Sequence, residues 1–261
     1  MIDAHIHISH RNIERYSLNH IESFVEQAQK RDIKHIYLLE HTHQFYEFKQ
    51  MYKPIEEYNE YQKKWLSTKL TASFGDYIDF VEAAGKYRFP IAVSFGLEVC
   101  YIPETKPALL DILKQANMDF IVGAVHFIDN WGFDHRAEHW DGRDIDNAYM
   151  RYYEIMLDMI KLGVFDGVAH PDSIKCFGNY PSYDLEKTYE NIAKALVATD
   201  MYAEQSGGLA LNYGFPELGM NAKMLRALKR NGVRIVTASD AHKPEHVGLN
   251  IRELHEIFEK T

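Results

Sequence analysis

The chain reads as an α/β protein of parallel strands joined by right-handed crossovers, and three observations carry that expectation. Short β-rich runs alternate with helical patterns along the sequence. No low-complexity tract, Pro/Gly linker or shift of composition divides the 261 residues. Histidines and carboxylates recur at the ends of the β-rich runs. Repeated strand–helix units leave two architectures, a closed barrel or an open doubly wound sheet.

The predicted strands are residues 2–8, 35–40, 91–99, 120–127, 167–170, 208–212 and 234–239. Between them, apolar residues recur at spacings of three and four, as in Ile21, Phe24, Val25 and Ala28, and later Ile192, Ala193, Leu196 and Val197, which predicts helices with one buried face. Asn19 and Glu22 form a capping pattern at the start of the first helix. Residues 45–88 are too many for one crossover and predict a helical insertion, rich in Tyr, Lys and Glu, over one mouth of the sheet. The whole of 1–261 is expected to form a single domain.

Composition narrows the function classes. With 46% hydrophobic and 26% charged residues, the chain matches a water-soluble globular protein, and no apolar run approaches the roughly 20 residues needed to cross a bilayer. The opening Met1-Ile2-Asp3-Ala4-His5 has neither the basic nor the apolar region of a secretion signal, so the expected location is cytoplasmic. Cys100 and Cys176 lie far apart and form no CxxC pair, which argues against a disulfide framework or a thiolate metal site. The net charge of -9 comes without a basic stripe, and no nucleic-acid partner is expected.

The histidines point to chemistry. In a strand, the period of two places Asp3, His5 and His7 on one face, and two imidazoles so placed can converge on one metal ion. Glu40-His41-Thr42-His43 ends the second strand, Glu98 lies in the third, His126 in the fourth, His170-Pro171-Asp172 follows the fifth and Ser239-Asp240-Ala241-His242 the seventh. In parallel α/β folds the ligand site forms at the C-terminal edge of the sheet, where these residues would meet. Nitrogen and carboxylate ligands without thiolate suit zinc, manganese or iron(II), and their number exceeds what one ion takes. Paired divalent ions clamp the oxygens of an in-line displacement. A multinuclear metallohydrolase acting on a small phosphate ester follows. Lys175, Lys243, Arg136 and Arg143 lie a few residues past ligand-bearing strand ends and are candidate phosphate cations. Asp134 and His135 are candidates for a substrate amine or imidazole, and Phe45, Tyr46, Phe48 and Tyr52 for a lid.

The motifs Asp3-Ala4-His5-Ile6-His7, Glu40-His41, Gly96-Leu97-Glu98-Val99, Val125-His126-Phe127, His170-Pro171-Asp172 and Ser239-Asp240-Ala241-His242 resemble those of the polymerase and histidinol phosphatase (PHP) superfamily over nearly the full chain. The resemblance implies a distorted (β/α)7 TIM-like barrel with three divalent metal ions at the C-terminal edge. It implies a first ion on His5, His7, Glu98 and Asp240, with Glu98 bridging to a second on His126 and His170. The third would take His41, His242 and His10, with His43 as the alternative to His10. Glu98, Asp240 and His242 would then serve the reaction directly.

Trp131-Gly132-Phe133-Asp134, the run from His170 to Gly178, and Asp240-Ala241-His242-Lys243-Pro244 resemble the histidinol-phosphate phosphatase group in particular. This implies hydrolysis of L-histidinol phosphate in histidine biosynthesis. Rival readings are a phosphatase or phosphodiesterase for a nucleotide, sugar phosphate or phosphotyrosine peptide, and a metal-dependent amidohydrolase. Around the sixth strand the group's Glu-x-Asn-Thr-x-Gly pattern, followed by an arginine, is expected; Ala210-Leu211-Asn212-Tyr213-Gly214-Phe215 supplies the asparagine and glycine but neither the acid nor the cation.

Overall fold

A computed structural model describes residues 1–8 and 16–261. Seven parallel strands, β1 (Ile2–His7), β2 (His35–His41), β3 (Ala92–Cys100), β4 (Phe120–Ala124), β7 (Gly167–Val168), β8 (Tyr202–Ser206) and β9 (Ile235–Ala238), pair in that order. A two-residue turn through Asp129 and Asn130, both at positive φ, joins the small hairpin of β5 (Phe127–Ile128) and β6 (Trp131–Gly132). Sequence reading merged β5 into the fourth strand. The sheet curls into a nearly closed barrel, filled by Leu39, Phe120, Val122, Ala124, Ala169 and Tyr202. The larger apolar core lies between the strands and the helices around them.

The barrel's seam is sparse. β1 carries an irregularity between Asp3 and Ile6, and one bridge, Ile6 to Ala241, links it to the segment after β9. His7 N–H donates to Ala241 O at 2.8 Å and Thr237 Oγ1 to Ile2 O at 2.8 Å. Asp3 fastens this seam: its carboxylate accepts Ser239 N–H at 2.8 Å and Gly248 N–H at 2.7 Å.

Crossover helices α1 (Leu18–Lys30), α4 (Phe74–Ala84), α5 (Lys106–Leu113), α6 (Ile145–Lys161), α7 (Glu186–Thr199) and α9 (Ala222–Arg230), with α10 (Ile251–Lys260) after the last strand, surround the strands. The first is capped by Ser17, whose Oγ accepts His20 N–H, rather than by Asn19, which lies inside the first turn. Among the described residues no helix is long and apolar enough to cross a membrane.

One strand lies elsewhere than the sequence suggested. Residues 208–212 wind into α8 (Gly208–Tyr213), and the sixth barrel strand is the preceding Tyr202–Ser206. That strand is buried throughout yet carries Glu204, Gln205 and Ser206, so it lacks the apolar signature that Leu209-Ala210-Leu211 displays.

The insertion forms short helices, α2 (Lys53–Tyr58) and α3 (Glu60–Ser67), over the C-terminal mouth. Gln62 ties them to the hairpin, donating to Asn130 O at 2.8 Å and Ile55 O at 3.1 Å and accepting Gly132 N–H at 2.9 Å. Phe45, Phe48 and Tyr52 are fully buried, packing among Phe74, Tyr77 and their neighbours. They are core rather than a lid, and Tyr46 is exposed.

Candidate metal centre

Glu98, at the C-terminal end of β3, has no exposed surface. Five imidazoles surround its carboxylate: His126 Nε2 at 3.0 Å and His170 Nε2 at 2.9 Å from Oε1, with His41 Nδ1 at 2.6 Å, His7 Nε2 at 3.5 Å and His5 Nε2 at 3.6 Å from Oε2. Asp240 Oδ1 completes the floor, 3.4 Å from His7 Nε2 and 3.8 Å from His5 Nε2. His242 stands at the rim, its ring 4.3 Å from that of His7. Residues from position 5 to position 242 therefore meet because each ends a parallel strand or follows one.

Supporting bonds set the ring orientations. His5 Nδ1–H donates to Glu204 at 3.0 Å, and His126 Nδ1–H to Asp134 Oδ2 at 2.7 Å. Both rings then turn Nε2 inward toward Glu98, the orientation carboxylate partners impose on metal-binding histidines. Glu204 also accepts His170 N–H at 3.1 Å. Asn212 Nδ2 donates to Asp240 Oδ2 at 3.0 Å. His170 and Asp240 hold left-handed backbones, φ 29° and 56°, a strained conformation that clusters at functional sites.

The donor set fits divalent cations. His5 Nε2 and His7 Nε2 lie 3.0 Å apart, and Glu98 Oε2 accepts no well-aligned hydrogen bond despite His41 at 2.6 Å. Buried lone pairs crowded this way are costly unless a cation lies among them. Groups whose ligand atoms all lie within 4.8 Å are His5/His7/Asp240, His5/Glu98/His170, His41/Glu98/His126 and His7/His41/His242. Burial would raise the Glu98 carboxyl, but the His41 and His5 imidazoles, with hydrogen bonds from His126 and His170, hold it well below the usual range. Burial, then the neighbouring His41 and His242, keeps His7 far below its ordinary value, hence neutral and able to bind metal. Burial pushes the Cys100 thiol up and leaves it protonated, consistent with a site without thiolate.

Above the floor opens a cleft of about 460 Å³, walled by His43, Trp65, Lys69, Phe127, Asp134 and His135 on one side and Asn212 and Tyr213 on the other. Of the residues singled out from sequence, His5, His7, His41, Glu98, His126, His170 and Asp240 come together at the floor with His242 at its rim, and Asp134 and His135 line the wall. His10 lies outside the described residues. His43 is buried against His41 at 4.4 Å between ring centroids, and it belongs to none of the ligand groups.

The predicted phosphate cations are elsewhere. Lys175 is 1% exposed, paired with Asp172 at 2.8 Å and Glu217 at 2.6 Å. Lys243 pairs with Glu245, Arg136 lies over Tyr61 and Arg143 over Trp131. None of the four lines the cleft. Glu204 escaped the sequence reading because its strand did. Read from Glu204, the chain runs Glu204-Gln205-Ser206-Gly207-Gly208, so the acid missing from the sixth-strand motif is present six residues upstream of where it was sought.

Fold and site together define a parallel α/β barrel with a histidine-rich cluster of candidate metal ligands at the C-terminal edge of its strands. The chain matches the PHP domain over residues 3–206 and belongs to that family. It is 28% identical over 200 residues to a "Probable histidinol-phosphatase" of Deinococcus radiodurans, an alignment covering 71% of this chain and 73% of that protein. A second "Probable histidinol-phosphatase", from Schizosaccharomyces pombe, is 23% identical over 195 residues, covering 69% of this chain and 64% of the relative. In fold the chain resembles the histidinol phosphate phosphatase of Lactococcus lactis, solved with zinc, L-histidinol and phosphate, at a TM-score of 0.72 and 17% identity over 99% of this chain and 92% of that one.

Proposed function

We propose that this protein is a divalent-metal-dependent phosphomonoester hydrolase that converts L-histidinol phosphate and water to L-histidinol and phosphate, a cytoplasmic step of histidine biosynthesis. The observation that carries the reading is Glu98, a buried carboxylate ringed by five imidazoles beneath an open cleft, in a PHP-family chain whose two curated relatives are both described as histidinol-phosphatases.

Three ions of zinc, manganese or iron would be held, one by His5, His7, Glu98 and Asp240, one by Glu98, His126 and His170, and one around His41 and His242. Bound there, divalent ions polarise phosphoryl oxygens and make water nucleophilic at neutral pH. The protein's own side chains do the rest. Glu204 and Asp134 fix the tautomers of His5 and His126, while Glu98 and Asp240 stay ionised. His242, at the half-exposed rim, donates Nδ1–H to Asp240 O at 3.0 Å, which leaves its other nitrogen for the third ligand set. Asp134 Oδ1 is buried without a hydrogen bond and offers an acceptor for a substrate N–H. Trp65, Phe127 and His135 give an imidazole ring aromatic surfaces to pack on.

The test is phosphate release by the metal-loaded protein from L-histidinol phosphate, a nucleoside monophosphate, a sugar phosphate and a phosphotyrosine peptide. The expected result is a kcat/KM for L-histidinol phosphate about 100-fold or more above the others. Equal slow turnover of all four, or amide hydrolysis without phosphate release, would overturn the assignment.

A further inference from the structure

We propose that Lys69, carried by the insertion rather than by a barrel loop, is the residue that anchors the substrate's phosphoryl group. The inference rests on the function above for the identity of the ester, though not for the binding of phosphate itself. Among the described residues lining the cleft, Lys69 is the single lysine or arginine. It follows directly on α3, with its backbone N–H bonded to Leu66 O at 2.9 Å. Its Nζ stands 5.5 Å from the centre of the Trp65 ring. Trp65 in turn packs on His135 at 4.7 Å, His43 at 5.1 Å and Phe127 at 5.9 Å between ring centroids. The ammonium therefore sits against the aromatic wall of the cleft that opens over the histidine floor.

Charge places it on phosphate rather than on the substrate's basic end. A phosphate monoester carries between one and two negative charges near neutrality, and lysine binds phosphate as a compact point charge. The other charged side chains that line the cleft, Asp134 and Asp240, are carboxylates, suited to an imidazole or ammonium. Lys69 is half-buried, where its attraction for an anion is less screened than on an open surface. Such a contact forms alike in the substrate complex and in the phosphate product complex, so its loss should appear in KM more than in kcat.

The experiment titrates inorganic phosphate into metal-loaded wild-type, Lys69→Met and Lys69→Arg proteins by calorimetry, alongside steady-state kinetics. Lys69→Met should weaken phosphate about 10- to 100-fold and raise KM for L-histidinol phosphate by a similar factor with kcat little changed. Lys69→Arg should restore most of both, with metal stoichiometry, melting temperature and affinity for L-histidinol, which lacks the phosphoryl group, as in the wild type. Phosphate affinity within twofold of wild type in Lys69→Met, or equal losses for phosphate and L-histidinol, would overturn the proposal. If the wild type fails to hydrolyse L-histidinol phosphate, the functional reading falls, and the phosphate titration still decides the role of Lys69.

Discussion

Glu98 concentrates the chemistry of this protein in one side chain, since its two oxygens face the histidines of five separate positions. Glu98→Gln keeps the shape but removes the charge that joins two ligand sets. It should lower kcat by roughly 10²- to 10³-fold and leave fewer ions per chain by elemental analysis; full metal content with full turnover would contradict the assignment. Gly208 is a subtler case. A Cβ there would stand 2.2 Å from Asp240 Oδ2, so Gly208→Ala must displace a proposed ligand whose backbone is already left-handed. The expected outcome is a circular dichroism spectrum like the wild type with metal affinity weakened about 10- to 100-fold. The floor was legible in sequence because a histidine or acid ending a parallel strand has only one place to go. The cations were not. Distance past a strand end does not fix side-chain direction, and Lys175 turned inward to Asp172 and Glu217.

At the scale of elements, six of the seven barrel strands follow from their β-rich runs, and β8 does not, for a reason rooted in function. A strand whose inner face supports ionic ligands must carry polar residues inward; Glu204 is fully buried because His5 and the His170 backbone bond to it. Hydrophobic periodicity therefore fails where the site is built. The insertion was legible from its length, while its anchorage was not: Gln62 fastens α3 to the β5–β6 hairpin through two hydrogen bonds and to α2 through a third. Gln62→Leu would leave Gly132 N–H and two carbonyls without this partner, costing about 1–3 kcal/mol. Urea unfolding should register that loss, and KM should rise because Trp65 and His135 share the loosened wall. An unchanged midpoint together with an unchanged KM would show that the insertion is held by other means.

For the whole molecule, the proposed metal load and the barrel closure are one problem. His5 and His7 belong to the first strand, Asp240 and His242 follow the last, and among the described residues only a few bonds otherwise span that seam. Ions binding the folded but not the unfolded chain raise its stability by mass action. Stripping them with a chelator should lower the melting temperature by about 5 °C or more, and adding back a divalent ion should restore it; an identical melting curve would mean that no ion bridges the seam.

The same seam sets the order in which the protein can be made. Asp3 finds its partners Ser239 and Gly248 across 236 and 245 positions of sequence, contacts that a growing chain can form only after Gly248 has left the ribosome. Closures so distant in sequence come late and slowly in folding. The strand bearing His5 and His7 thus precedes the other barrel strands in synthesis, and its contacts across the seam are among the last to form. The floor that His5 and His7 share with Asp240 and His242 can therefore assemble only after the segment following β9 has been made.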